Sequence, residues 1–311
     1  MTKTYKTLMM LLSLLLWGNG LKALDQNDGV YQIGTAEDLL AFSELVNGGE
    51  YAANAVLTAD VDLGDISYFP PIGKQYWPAG PTLYFSGTFD GQGHIIYNLR
   101  VEMDDAGAET GLFGRLNGAT VQNVGIVNAT LKNSSALRAG VLGGCAVSSK
   151  ISNCFTVGNI VTDECICSFN RKNGDGLFGL ITSGSVVSNS YTTYATMHDD
   201  RDSSPDITIE NCYWGEDVAN MAPTGELCYK LNGDQSNITW FQKLGEDVYP
   251  VLNAERGTVI PNNGGGFENA TGIQHVAKEK RTNGIYNLKG QKVVKAKKGI
   301  HVIDGQKVLT R

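Results

Sequence analysis

The sequence predicts an all-β fold: a right-handed parallel β-helix (β-solenoid) with a short N-terminal capping helix and a small C-terminal β module. Three observations predict it. Gly-Leu-Phe-Gly stands at 111–114 and again at 176–179, 65 positions apart. An aliphatic-x-Asn step recurs at Ile96-Tyr97-Asn98, Val121-Gln122-Asn123, Ile151-Ser152-Asn153, Val187-Ser188-Asn189 and Ile209-Glu210-Asn211, with intervals of 25, 30, 36 and 22 between the Asn residues. Gly is abundant at 38 residues while Pro is scarce at 8, which points to many tight turns between regular segments. A strand-rich unit that cannot bury its apolar face alone stacks on copies of itself.

The elements follow in chain order. Lys3 and Lys6 precede the apolar run Leu8–Trp17, and small residues follow, the layout of a secretory signal peptide over 1–23. The run is too short to span a bilayer, which takes about 20 residues. Thr35 with Asp38 three positions on is close to a capping box, and Leu39, Phe42, Leu45 and Val46 recur at helical spacing. Asn47-Gly48-Gly49 ends that helix, and Val56–Leu63 alternates as a strand. Asp90-Gly91 and Gln92-Gly93 are turn dipeptides.

The repeats occupy the rest of 24–215. Ala139-Gly140-Val141-Leu142-Gly143 reads as a looser third copy of the tetrapeptide, so that an Asn follows the first Gly at 12, 13 and 13 positions. Gly111, Gly114, Gly176 and Gly179 are expected at corners that need positive φ. Asn98, Asn123, Asn153, Asn189 and Asn211 are expected to form one ladder, each amide bonding to the next coil. Residues 216–255 read as a closing segment carrying Trp240 and Phe241, residues 256–283 as a flexible linker, and 284–311 as a small strand module with turns at Leu288-Lys289-Gly290-Gln291 and Ile303-Asp304-Gly305-Gln306.

GLFGRLNGATVQNVGI, AGVLGGCAVSSKISNCFTVGNI and GLFGLITSGSVVSNSY resemble GLUG-motif repeats, and FSGTFDGQGHIIYNL resembles the segment that precedes them. The resemblance covers roughly residues 30–215. It implies a bacterial surface or secreted protein with a β-helical stalk or binding surface, and it carries no catalytic residues. The middle copy departs from the motif, with Ala139 in place of a first Gly and Cys145 just after. GIYNLKGQKVVKAKKGIHVIDGQKVLTR at 284–311 resembles the C-terminal sorting domain of type IX secretion substrates, which implies contact with an outer-membrane export machine.

Charge limits the partners. Residues 24–275 carry a net charge of −18 and residues 276–311 one of +8. An acidic body repels nucleic acid and anionic membrane. Six Cys are present, but Cys165-Ile-Cys167 lacks the spacing of a zinc or redox site, so no metal and no cofactor is expected. Whether any of the six pair in disulfides stays open. Asp90, Gly91 and His94 suggest acid–base chemistry, but Asp90 has no evident carboxylate partner and reads as a turn. His198-Asp199-Asp200-Arg201-Asp202 reads as a solvated loop and Asp60-Val61-Asp62 as strand alternation. Tyr76, Trp77 and Tyr84, in and beside a Pro/Gly-rich loop, are the candidate ligand-binding residues; Tyr191, Tyr194, Tyr213 and Trp214 read as structural. The functional expectation is an exported, non-enzymatic interaction protein facing a glycan or protein partner outside the cell. A divergent glycan lyase or hydrolase and a plain spacer are the alternatives.

Overall fold

A computed structural model describes residues 24–76, 83–103, 108–132, 138–158, 160–162, 176–194, 206–233 and 238–270, and strands at 285–286, 292–293, 299–303 and 306–310. The signal segment 1–23, Trp77, Cys165, Cys167 and the 198–202 loop lie outside these residues. The chain forms two compact units, Met1–Asn269 and Ala270–Arg311.

The expected closed, all-parallel solenoid is corrected by the strand pairing. The sheets are mixed. Gln26–Asn27, Gln75–Tyr76 and Val259–Pro261 pair antiparallel with their partners, and the four strands of the second unit pair only antiparallel. Strands fall into six separate sheets and no closed solenoid forms among the described residues. The parallel ladders are confined to the middle of the first unit. There β1 (Val30–Ile33), β2 (Asn54–Leu57), β3 (Thr88–Asp90), β4 (Ile95–Tyr97), β5 (Thr120–Val127), β6 (Lys150–Val157), β7 (Val186–Thr192) and β8 (Thr208–Trp214) belong to one ten-stranded sheet. Its path runs β1-β2-β3-β5-β6-β7-β8, with β4 alongside β3 on the same neighbour, β5.

Helix α1 (Ala36–Asn47) starts with the capping box read from Thr35 and Asp38: each side chain bonds the other's backbone N–H. Its buried face carries Leu39, Phe42 and Val46, and the Phe42 ring meets Phe85 edge-on at 6.0 Å.

The second reason for the departure from a plain solenoid is that the large sheet buries both faces. One face packs the main core, with Val121, Ile151, Val187, Val124, Cys154 and Ile126 buried in register. On the other face Phe155, Tyr191 and the partly buried Ile95 and Tyr213 form a second core with Trp240, Leu227, Cys228 and Leu231. These outward residues follow the register Ile95–Gly125–Phe155–Tyr191–Tyr213. The closing segment therefore does not simply cover the last strand. It runs back along the sheet, over several strands, as far as Gly93, where a Cβ would stand 3.0 Å from the Leu252 carbonyl. Helices α2 (Gly215–Met221) and α3 (Glu226–Leu231) start that return path.

The stretch expected to be a linker from residue 256 holds a hairpin instead, Val259–Pro261 against Phe267–Asn269, with Val259 buried. The Gly-rich run 262–266 is its turn: Asn262 Oδ1 accepts from the N–H groups of Gly264 and Gly266 at 2.9 and 3.0 Å.

The register also realigns the repeats. Phe113 pairs Gly143 and Gly143 pairs Phe178, so Gly-Leu-Phe-Gly aligns with Val141-Leu142-Gly143-Gly144, one position later than the sequence pattern suggests. Gly143 replaces Phe because the Phe178 ring occupies its space, 2.6 Å from where its Cβ would be. The expected positive φ holds at Gly111 and not at Gly114 or Gly179; the second glycine of each copy is required by close approach instead, since a Cβ on Gly114, Gly144 or Gly179 would stand 2.5 Å from the backbone of Gly73, Thr110 or Ala139.

Candidate functional site

The Asn corners come first, because they position everything else on the sheet. All five Asn residues adopt positive φ, between 47° and 58°. Asn tolerates the left-handed region better than other side-chain-bearing residues do. Asn123 Nδ2 donates to Asp90 Oδ1 at 3.0 Å, Asn153 Nδ2 to Asn123 Oδ1 at 3.0 Å and Asn211 Nδ2 to Asn189 Oδ1 at 2.8 Å. Asn211 also reaches the carbonyls of Lys230 and Leu231 at the end of α3. Between Asn153 and Asn189 the ladder is interrupted: Asn153 Oδ1 is buried with no partner among the described residues.

Asn98 belongs to a different corner. Its strand aligns with Gly125–Val127, so Asn98 sits over Asn128 and donates to Asp62 Oδ1 at 2.8 Å. Asn128, at φ 60°, is the equivalent corner residue, and Ile126-Val127-Asn128 carries the same aliphatic-x-Asn step. The strands that follow the two corners pair in parallel, Arg100–Glu102 with Thr130–Lys132. Asp62 therefore serves this second corner, and its carboxyl is held below the usual range by the Asn98 amide and the Gly64 N–H.

Asp90 is fully engaged. It accepts from Asn123, from Gln122 Nε2 at 2.8 Å and from the Gln92 N–H at 2.8 Å. It starts the ladder.

His94 is placed elsewhere. Its Nδ1 lies 3.2 Å from Asp60 Oδ1, which also accepts the Ile95 N–H at 2.9 Å. An ionised carboxylate only accepts, so Nδ1 is the donor in this contact. These residues border a groove of about 780 Å³ between the Thr58–Asp60 and Gln92–Tyr97 corners and the returning segment 247–256. Ile95, Tyr97, Val251 and Leu252 supply apolar lining, and Asp60, Glu255, Asp247 and Arg256 supply charge. The Tyr97 phenol is pushed up, first by burial and then by Asp60 and Asp62, and stays protonated. Arg256 and Asp247 neutralise each other: Nε donates to Asp247 Oδ2 at 2.9 Å and Nη2 to Oδ1. Burial opposes ionisation of Asp247, but Arg256 and the Lys243 N–H outweigh it and hold the carboxyl below its ordinary range. No groups of three or more potential metal ligands occur among the described residues.

The aromatic loop gives less. Tyr84 stacks on Tyr51 with centroids 5.0 Å apart. Tyr76 lies on a short strand paired with Ala108, and Trp77 falls outside the described residues. In the other cluster, Tyr191 and Tyr213 line the second core and Trp214 packs against the first.

Glu109 is a fully buried carboxylate in a charge cluster. Arg115 grips it with two bonds of 2.8 Å and Arg138 Nη1 adds a third at 2.6 Å. It lies on the strand that pairs with both Arg138–Ala139 and Gln75–Tyr76.

No family model matches the chain. It is similar to halomucin of Haloquadratum walsbyi, with 32% identity over 184 residues, which is 56% of this chain and 2% of halomucin. The chain thus spans a small fraction of that relative. A solved structure described as a "putative immunoglobulin A1 protease" from Bacteroides ovatus is 15% identical, with a TM-score of 0.47, over 75% of this chain and 96% of that one. No described helix is long and apolar enough to cross a membrane.

Proposed function

We propose that this chain is an exported, extracellular interaction module that holds a carbohydrate in the groove between the His94 corner and residues 247–256. The secretory pattern at the N-terminus and the similarity to halomucin support an extracellular setting. The observation that carries the binding reading is the lining of the groove. An apolar floor with a few convergent polar groups is the common form of a small-ligand site. Tyr97, Ile95 and Leu252 offer a surface for the C–H face of a sugar ring, while Asp60, His94 and Glu255 face its hydroxyl donors.

The engaged state of Asp90 favours binding over glycan cleavage, since the one carboxylate that sequence reasoning offered for catalysis is consumed by the Asn ladder. The test is incubation of the secreted chain with a polysaccharide panel, reading retained protein and newly released sugar ends together. Retention without new ends, reduced by Tyr97→Ala, supports the module. New ends would replace it with an enzyme, and no retention on any glycan would remove the proposal.

A further inference from the structure

Two guanidiniums share one buried carboxylate at a corner of the first unit, which leaves one positive charge unmatched. We propose that Arg115 and Arg138 form a binding site for a single oxyanion, a carboxylate, sulfate or phosphate group. The site is separate from the groove and does not rest on the carbohydrate reading.

Glu109 and Arg115 flank the first Gly-Leu-Phe-Gly, whose turn brings them into contact. Arg138 arrives on the neighbouring strand, directly paired with Glu109. Arg115 Nη2 and Arg138 Nη1 both donate to Glu109 Oε1, at 2.8 and 2.6 Å, so the two cationic heads adjoin. Glu109 is the only carboxylate among the groups that raise Arg115, and burial works against the charge. Cys145, which Arg138 Nη1 also meets at 3.6 Å, supplies no counter-charge: burial first of all pushes the thiol up to about 12. A partly desolvated cation without a partner is unfavourable, and an anion relieves it.

Donors remain to hold that anion. Arg115 Nη1 and Arg138 Nε and Nη2 have no hydrogen-bond partner among the described residues. The two side chains keep 25% and 23% of their surface exposed, so their free edges are within reach of solvent. Glu109 fixes both heads in place, and a fixed planar fork suits bidentate recognition of an oxyanion. The repeat does not demand a cation here. In the aligned column Arg115–Cys145–Leu180 the other two copies carry a thiol and an aliphatic side chain. The net charge of −18 over residues 24–275 disfavours a polyanion. Salt screens that field over about 8 Å, so a single anionic group is the matching ligand.

The experiment follows the melting midpoint of the secreted chain near neutral pH. Sodium acetate, sulfate or phosphate is titrated at millimolar levels into sodium chloride, with ionic strength held constant. The expected result is a saturable rise of about 2–4 °C with at least one of the three. A response to acetate alone assigns the site to carboxylates, and a response to sulfate or phosphate assigns it to tetrahedral anions. Arg138→Gln leaves Arg115 and Glu109 paired one to one and should abolish the rise. Arg138→Lys keeps the charge without the fork and should weaken the apparent affinity severalfold. Lys150→Gln removes an exposed charge on β6 and should leave the rise unchanged. An undiminished rise in Arg138→Gln, or an equal loss in Lys150→Gln, would overturn the proposal by showing a general salt effect. Should Arg138→Gln fail to fold, an affinity in Arg138→Lys equal to the parent's would overturn it. So would the absence of a saturable rise with all three anions, which would leave the groove reading untouched.

Discussion

The Tyr191 hydroxyl donates to the Pro250 carbonyl at 2.6 Å, and this bond fastens the returning segment to the sheet. Tyr191 is fully buried, its ring stacked on Phe155 at 5.4 Å with Trp240 against both. Burial pushes the phenol well up, so it is a donor at any physiological pH. Tyr191→Phe keeps the stack and strands the Pro250 carbonyl. The expected cost is about 1–3 kcal/mol, read as a lowered denaturation midpoint. Pro250 adjoins Val251 and Leu252, so the same variant should weaken ligand retention in the groove beyond its effect on stability.

Asn123 has two separable tasks, a positive φ of 54° and a ladder bond on each side. Asn123→Gly keeps the φ and loses the bonds, at an expected cost of about 1–2 kcal/mol. Asn123→Leu loses both and should cost about 1–2 kcal/mol more, from strain in the left-handed region. Equal midpoints for the two variants in urea would show that the backbone conformation contributes nothing.

Gly125 lies under the Phe155 ring, where a Cβ would stand 2.2 Å from Cζ. The ring cannot move aside, because Tyr191 and Trp240 pin it. Gly125→Ala should therefore destabilise by about 1–3 kcal/mol through overpacking. The check is a melting curve for Gly125→Ala beside one for Gly118→Ala. Gly118 is exposed with open space around its Cβ position, although its φ of +73° carries its own strain.

The four described cysteines, Cys145, Cys154, Cys212 and Cys228, are free thiols. Burial is the first cause that pushes each from 9.0 up to about 12. They should resist alkylation at about pH 8 in the folded chain and react on unfolding. Linkage gives the sign of the stability change. The folded protein prefers the protonated thiol, so this contribution is fully present below 9.0 and is lost as pH rises through about 12. Denaturation midpoints should fall across that window, and replacing Cys154 by Ala should flatten the fall.

Much of the fold was legible because it is local. Thr35 and Asp38 lie three residues apart, and a capping box is decided by atoms within one helical turn. The Asn corners were legible because a positive φ has few suitable residues, and Asn at repeated positions announces it. The second glycine of each repeat was visible as a repeat, but its steric demand is not local: the backbone of Gly73, Thr110 or Ala139 that crowds it comes from distant positions in the chain, and the third copy was offset by one position until pairing of Phe113 with Gly143 set the register.

What only the tertiary structure decided is what happens between distant segments. The sequence alone does not show that Asn98 stacks on Asp62 and Asn128, since register depends on which strands meet. Nor does it show that both faces of the large sheet are buried. Phe155, Tyr191 and Tyr213 follow their Asn by two positions each, but their partner Trp240 comes later and only packing brings it there. The same return path places Leu252 against Gly93. The groove exists only through that contact. Its residues are far apart in the chain, and hydrophobic burial along the sheet, which has no sequence period of its own, is what joins them.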